Sequence, residues 1–154
     1  MEYQSPKHII AVSALVMNEK DEVLLIKTHN RTDTWELPGG QVEEGEPPHL
    51  AAEREFFEET GIEMKVESVT GVYYNVTNEL LSLVFRGKYI GGNLSLQEEE
   101  IKEAKFIPLT EENLSFYITR PHMASRALDA LKGTGTLPYE AWTVKPFKQL
   151  KRLE

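Results

Sequence analysis

"EREFFEETG", Glu53–Gly61, holds four glutamates in nine residues and ends on two adjacent acids, a threonine and a glycine. The segment Pro47–Thr60 around it has a helical pattern. Its two prolines fall in a first turn, where amide donors have no intrahelical partner, and Gly61 stands at the stop position. Glu46, just ahead, favours the positive end of the helix dipole. At about 100° per residue, Glu55, Glu58 and Glu59 stand at i, i+3 and i+4 on one face. Neighbouring acids at that spacing repel by about 0.2–0.5 kcal/mol per pair. Glu58 and Glu59 also oppose the negative end of the dipole, at about 0.3–1 kcal/mol each. Two local rules are broken at one place, as happens at functional sites. A divalent cation bound by oxygen ligands removes the conflict. On spacing alone, a solvated acidic face is an equal reading. Arg54 beside the acids can offset their repulsion or grip phosphate oxygens with its planar fork. The glycines of "LPGG" let backbone approach a ligand closely.

Working outward, "HIIAVSALVMN" (8–18) and "VLLIKTH" (Val23–His29) read as a hairpin turned at "EKDE", "NRTDT" as loop, and "WELPGG" (Trp35–Gly40) as a short extended piece. Beyond the helix, "IEMKVESVTGVYYNVT" and "LLSLVFRGKYIGG" are strands with a polar turn near Asn78–Glu79, and Ile101–Leu109 is another strand. Thr119–Gly133 is a second helix, and the chain after "TGTLPYEAW" reads as irregular, its basic "KPFKQLKRLE" a solvated tail. Strands linked by short turns, with few helices, indicate an α+β fold with a mixed sheet. No repeat or composition break divides the chain, so residues 1–154 are expected to form one domain.

The chain has 154 residues, 40% hydrophobic, with no cysteine and a formal charge of −8. Disulfides, zinc–thiolate sites, iron–sulfur clusters and thiol nucleophiles are excluded. An acidic chain is a poor general binder of nucleic acid, so no stable nucleic-acid complex is expected. The N-terminus lacks a signal-peptide pattern, and no apolar run nears the roughly 18 residues of a membrane span. A cytoplasmic protein without membrane contact is the expectation.

From Gly40, "GQVEEGEPPHLAAEREFFEETGI" has Gly40, Glu46 after five residues, Arg54-Glu55 after seven more, then Phe56, Glu58-Glu59, Gly61 and Ile62. This resembles the Nudix box at every fixed position; only Phe56, bulkier than the aliphatic residue common there, is unusual. The resemblance implies a Nudix-like α/β/α sandwich. It also implies a Mg²⁺- or Mn²⁺-dependent hydrolase of a nucleoside diphosphate linked to another moiety, with a homodimer allowed. Glu55, Glu58 and Glu59 resemble the metal-binding acids, Gly39 the residue whose carbonyl touches metal, and Glu46 with Arg54 the pair bracing loop and helix. For the proton-accepting carboxylate the candidates are Glu58 and Glu100, with Glu98 a competitor to the latter. A non-catalytic nucleotide sensor is the alternative function.

On the substrate side, Trp35 can stack on a base or pack the core, and Arg31 and Lys27 can contact phosphate. Tyr73 and Tyr74 point to opposite faces of a strand, and either can line a cleft, with Tyr74 the choice for substrate. His29, His49 and His122 have no partner pattern suggesting metal, and surface or capping roles fit them better. Tyr139, Trp142 and Phe147 are expected to pack the C-terminal segment onto the domain, or to form a base pocket or dimer contact. Glu53 is read as solvated. No proline follows the box between Glu63 and Leu80, so the mark of some ADP-ribose hydrolases is missing and no substrate is selected.

Overall fold

The computed structural model describes residues 2–134 and 137–154, and the Trp142 side chain lies outside the described residues. Strands β1 (Ile9–Met17), β2 (Val23–Thr28), β3 (Arg31–Glu36) and β4 (Gly39–Gln41) lead into α1 (Pro48–Thr60). Then come β5 (Ile62–Asn75), β6 (Leu80–Gly92), β7 (Ile101–Ile107), the short α2 (Leu114–Tyr117), α3 (Pro121–Lys132), β8 (Tyr139–Val144) and β9 (Phe147–Leu153).

The main sheet runs β3-β2-β1-β6-β5, with β4 also on β1 and β7 on β2. β1 and β6 are parallel from Ile9↔Leu80 to Met17↔Lys88, and every other pairing is antiparallel. The sheet is therefore mixed, as expected. β1 is buried on both faces in its middle, which explains its uninterrupted apolar run. Alternate residues divide the core in two. Val12, Ala14, Val16, Leu24 and Phe85 face α1 through Ala51, Ala52 and Phe56. Leu15, Val23, Leu25 and Val84 face α3 through Met123, Ala127 and Ala130. Helices on both faces complete an α/β/α arrangement. Phe56 is fully buried in the α1-side core, which accounts for the bulky residue at that box position.

Three expectations need correction. "NRTDT" is not loop: Arg31–Thr34 open β3, which pairs with β2 across the short turn at His29-Asn30. This is an edge strand held by backbone pairing, so its polar side chains give no apolar alternation to read. "WELPGG" is split between the end of β3 and β4, with Leu37-Pro38 between them. The C-terminal stretch is not irregular either, and the basic tail is not simply solvated. β8 and β9 form a hairpin from Tyr139↔Leu153 to Val144↔Phe147, turning at a cis Lys145–Pro146 bond. Leu153 joins the α1-side core with Tyr139 against it, while Phe147 is 73% exposed. Tyr139 thus takes the packing role expected of it, Phe147 is exposed, and the expectation for Trp142 lies outside the described residues.

Candidate metal site and cleft

Helix α1 ends on Gly61, at φ 78° and ψ 1°, whose amide donates to the Phe57 carbonyl at 2.8 Å. This left-handed conformation suits glycine. The next carbonyls are capped from outside: Ser95 N–H donates to Thr60 O at 2.8 Å and Gln97 N–H to Glu59 O at 3.3 Å. The 93–100 segment thereby neutralises part of the helix's negative end, which makes terminal acids tolerable there. The same segment is held from β2, because His29 N–H donates to Glu100 O at 3.1 Å and the His29 Nε2 bonds Glu98 O at 2.9 Å.

Arg54 is the hub of the acids. Its Nε and Nη2 grip Glu46 Oε2 and Oε1 at 2.6 and 2.9 Å. Its Nη2 also donates to Gln41 O at 3.2 Å, and its Nη1 reaches Glu55 Oε1 at 3.0 Å and Glu58 Oε2 at 3.1 Å. Loop and helix are braced by one guanidinium, which the acids keep firmly protonated. The Arg54 hydrogen bond in turn holds the Glu46 carboxyl below its ordinary range. Glu59 is 5% exposed, and its Oε1 accepts the Gly39 N–H at 2.8 Å. Burial pushes Glu59 up to about 8; Gly39 opposes this, while the charges of Glu55, Glu36 and Glu100 add to it. Burial also raises Glu55, against Arg54 and with Glu58 and Glu100. Glu100, itself exposed, therefore belongs electrostatically to the cluster. Glu58 has a side chain 48% exposed and is the open member.

These groups fit a hard divalent cation. All donors are oxygens, and buried acids that resist ionisation gain most from a nearby positive charge. A Cβ on Gly40 would fall on the Glu55 carboxylate, so the backbone is shaped around that acid. The acids are neighbours rather than a closed cage. Among the described residues no three His, Asp or Glu side chains converge on one point, since Glu55 and Glu58 lean on Arg54 and Glu59 on Gly39.

Beside Gly39 and Gly40 opens a cleft of about 350 Å³ lined by Ser13, Arg31, Glu36, Arg120, His122 and Arg126 among others. It adjoins a wider one of about 610 Å³ that includes Tyr73, Tyr74, Val76 and Ser125. Arg31 is already doubly bonded to Glu36 at 2.9 and 2.9 Å. Tyr74 is 53% exposed in the wider cleft, whereas Tyr73 donates its hydroxyl proton to Asp129 Oδ2 at 2.6 Å. Trp35 is absent from both linings. It packs against the α3-side core, with Lys27 Nζ 5.0 Å from its ring centre, so packing favours the core role over base stacking.

Two histidine readings change. His49 is not a surface residue: it is 6% exposed, and its backbone N–H and Nδ1 lie 3.2 and 3.0 Å from the Tyr139 hydroxyl. His122, read as a surface or capping residue, lines both clefts. Glu53 is not merely solvated, because its Oε2 accepts the Val66 N–H at 3.0 Å and ties α1 to β5. Ser13, Ser82 and Arg126 were missed. The available signal was an arginine one place before buried Ala127 on an otherwise apolar helix face.

The family model described as NUDIX domain matches residues 7–126. A MutT-like protein of Streptomyces ambofaciens is 38% identical over 130 residues, 84% of this chain and 81% of that one. An ADP-ribose pyrophosphatase of Methanocaldococcus jannaschii is 40% identical over 107 residues, covering 65% of this chain and 62% of its own. The crystal structure of a MutT protein from Methanosarcina mazei Go1 superposes with a TM-score of 0.67 at 28% identity, over 86% of this chain and 100% of that one. With the box built into α1 and the braced acids at its end, the chain belongs to the NUDIX family of pyrophosphohydrolases.

Proposed function

We propose that the α1 acids and the adjoining cleft hydrolyse a diphosphate bond in a nucleoside diphosphate linked to another moiety. The observation that carries this reading is the acid cluster braced by Arg54, reached through Gly39 and Gly40, which line a basic cleft. Glu55, Glu58 and Glu59, with the Gly39 carbonyl, would hold magnesium or manganese. Such an ion, when bound, neutralises diphosphate charge and makes water a stronger nucleophile.

The chain's own residues do the rest. Gly39 and Gly40 let the diphosphate come close to the acids. Arg31, at the cleft wall, orients phosphate oxygens while Glu36 fixes its fork. The attacking water's oxygen bonds to one phosphorus, the anhydride P–O bond breaks, and the bridging oxygen leaves on the other phosphate. Glu58, the open acid, takes the water's proton. Glu100 contributes negative charge to the same cluster. Arg54 touches Glu46, Glu55 and Glu58 and acts as a positioning residue. Tyr74 offers a ring to the nucleoside or its linked group. The relative named as an ADP-ribose pyrophosphatase supports a nucleoside diphosphate joined to a sugar as one candidate substrate.

The test is a panel of nucleoside-diphosphate derivatives with Mg²⁺ or Mn²⁺, comparing wild type with Glu58→Gln. Metal-dependent cleavage that the variant loses is expected. Turnover of no substrate, or a fully active variant, overturns the reading.

A further inference from the structure

The sequence contains six arginines. Arg31, Arg54, Arg120 and Arg152 each pair with a carboxylate, and Arg86 donates to the carbonyls of Ala130 and Leu131. Arg126 differs. It is half-buried on α3, and among the described residues its one hydrogen bond runs from Nη1 to Ser82 Oγ, a long 3.4 Å. Among the described residues it forms no ion pair. The acids whose fields could serve it are engaged elsewhere: both oxygens of Glu36 are held by Arg31, and Asp129 Oδ2 is held by Tyr73. Burial lowers its pKa, the signature of a cation short of compensation. A half-buried guanidinium with five donors and one weak contact is costly unless an anion meets it.

The anion has a place to stand. Arg126 lies in the wall shared by the two clefts, with Ser82, Asn75, Leu80 and His122. The narrower cleft continues from Arg126 to Gly39 and Gly40 at the acid cluster. Ser13, opposite Gly39 across β1 and β4, also lines this cleft; it is 7% exposed, and its buried hydroxyl has no hydrogen-bond partner, an unsatisfied donor that a bound anion could meet.

We infer that Arg126, backed by Ser82 and Ser13, binds a second anionic group, a phosphate monoester or carboxylate, carried by the substrate outside its diphosphate, on the nucleoside ribose or on the attached moiety. This rests on the hydrolase reading above and narrows its substrate class: doubly anionic ligands, with a diphosphate at the acid end and a separate anion at the α3 end.

Matched substrates that differ by one anion test it. NADPH and NADH, or coenzyme A and its dephospho form, differ by a phosphate monoester; UDP-glucuronate and UDP-glucose differ by a carboxylate. In at least one pair the anionic member is expected to have a kcat/KM about tenfold or more higher, as charge-assisted hydrogen bonds give. Arg126→Gln brings that ratio near one, and Arg126→Lys keeps part of it. The phosphate and carboxylate pairs tell the two anion sources apart. A ratio near one in every pair, or a ratio that survives Arg126→Gln, overturns the inference while leaving the hydrolase reading intact. If no pair is cleaved, the full substrate panel decides the hydrolase reading, and inorganic phosphate in EDTA decides the subsite by its effect on Tm. A rise lost in Arg126→Gln supports the subsite; no rise overturns it.

Discussion

Arg54→Gln separates a brace from a bystander. The guanidinium makes two bonds to Glu46 and one each to Glu55, Glu58 and Gln41 O. The side chains of Arg54, Glu46 and Glu55 are 23%, 16% and 17% exposed, so solvent compensates their loss only in part. Glu58 is 48% exposed, and its share is screened to little. Hydrogen bonds to charged groups are worth about 1.5–3 kcal/mol each. Removing the arginine spares its own desolvation, and Glu55 can escape by taking up a proton. The net loss is then about 2–3 kcal/mol, or roughly 4–12 °C in Tm for a chain of this size. Arg54→Lys keeps charge but not the fork and should recover less than half. Urea unfolding of wild type, Arg54→Gln, Glu46→Gln and the double variant gives the coupling, expected at about 1.5–3 kcal/mol. The pH dependence has a definite sign. Glu46 is lowered by Arg54, so this stability is present above its unfolded pKa of 4.5 and is lost as pH falls through the lower folded value. The gap between wild type and Arg54→Gln should narrow in acid. Additive single variants, or a gap that stays constant into acid, would refute the reasoning.

Gly40→Ala places a methyl on the Glu55 carboxylate and forces that acid aside. Metal-dependent kcat/KM should fall by about 10²-fold, since small misplacements cost that much, with unfolding free energy changed by less than about 1 kcal/mol. A wild-type turnover rate would show that Glu55 position is immaterial. His49 is kept neutral by burial, with Lys151 adding to this and Glu53 opposing it. The Tyr139 hydroxyl, which accepts the His49 backbone N–H, can give its own proton to Nδ1. A lowered histidine pKa means that the unfolded chain binds the extra proton first. Stability should therefore fall as pH drops below about 6.5, read as a steeper loss of urea midpoint between pH 7.5 and 5.5 in wild type than in His49→Gln. Equal slopes would contradict the burial argument.

The acid-bearing helix α1 was legible because its signal is local: three acids at i, i+3 and i+4, a proline-opened start and a glycine at the stop position. β1 was legible as a strand in its apolar run, but the two faces of the core, α1 against one and α3 against the other, were not. β3 was hidden because "RTDT" pairs through its backbone at the sheet edge. The C-terminal hairpin was hidden because the apolar residues of β9 recur every third position rather than every second, and because its anchor, Tyr139, meets a histidine 90 residues earlier. Glu53 looked solvated for the same reason, its partner being the amide of Val66 across the helix–strand junction. Arg126 gave only a faint local trace; its environment is assembled by Ser82 on β6 and the cleft that α3 forms with β1 and β4.

The central claim is that the braced acids direct water onto a diphosphate. Hydrolysis of a nucleoside-diphosphate substrate in ¹⁸O-labelled water with Mg²⁺, followed by mass analysis of both products, tests it most directly. The account predicts one labelled oxygen in a single phosphate-bearing product, and a rate that falls by about 10²–10⁴-fold in Glu58→Gln. Products without label, or a Glu58→Gln rate equal to wild type, would contradict it.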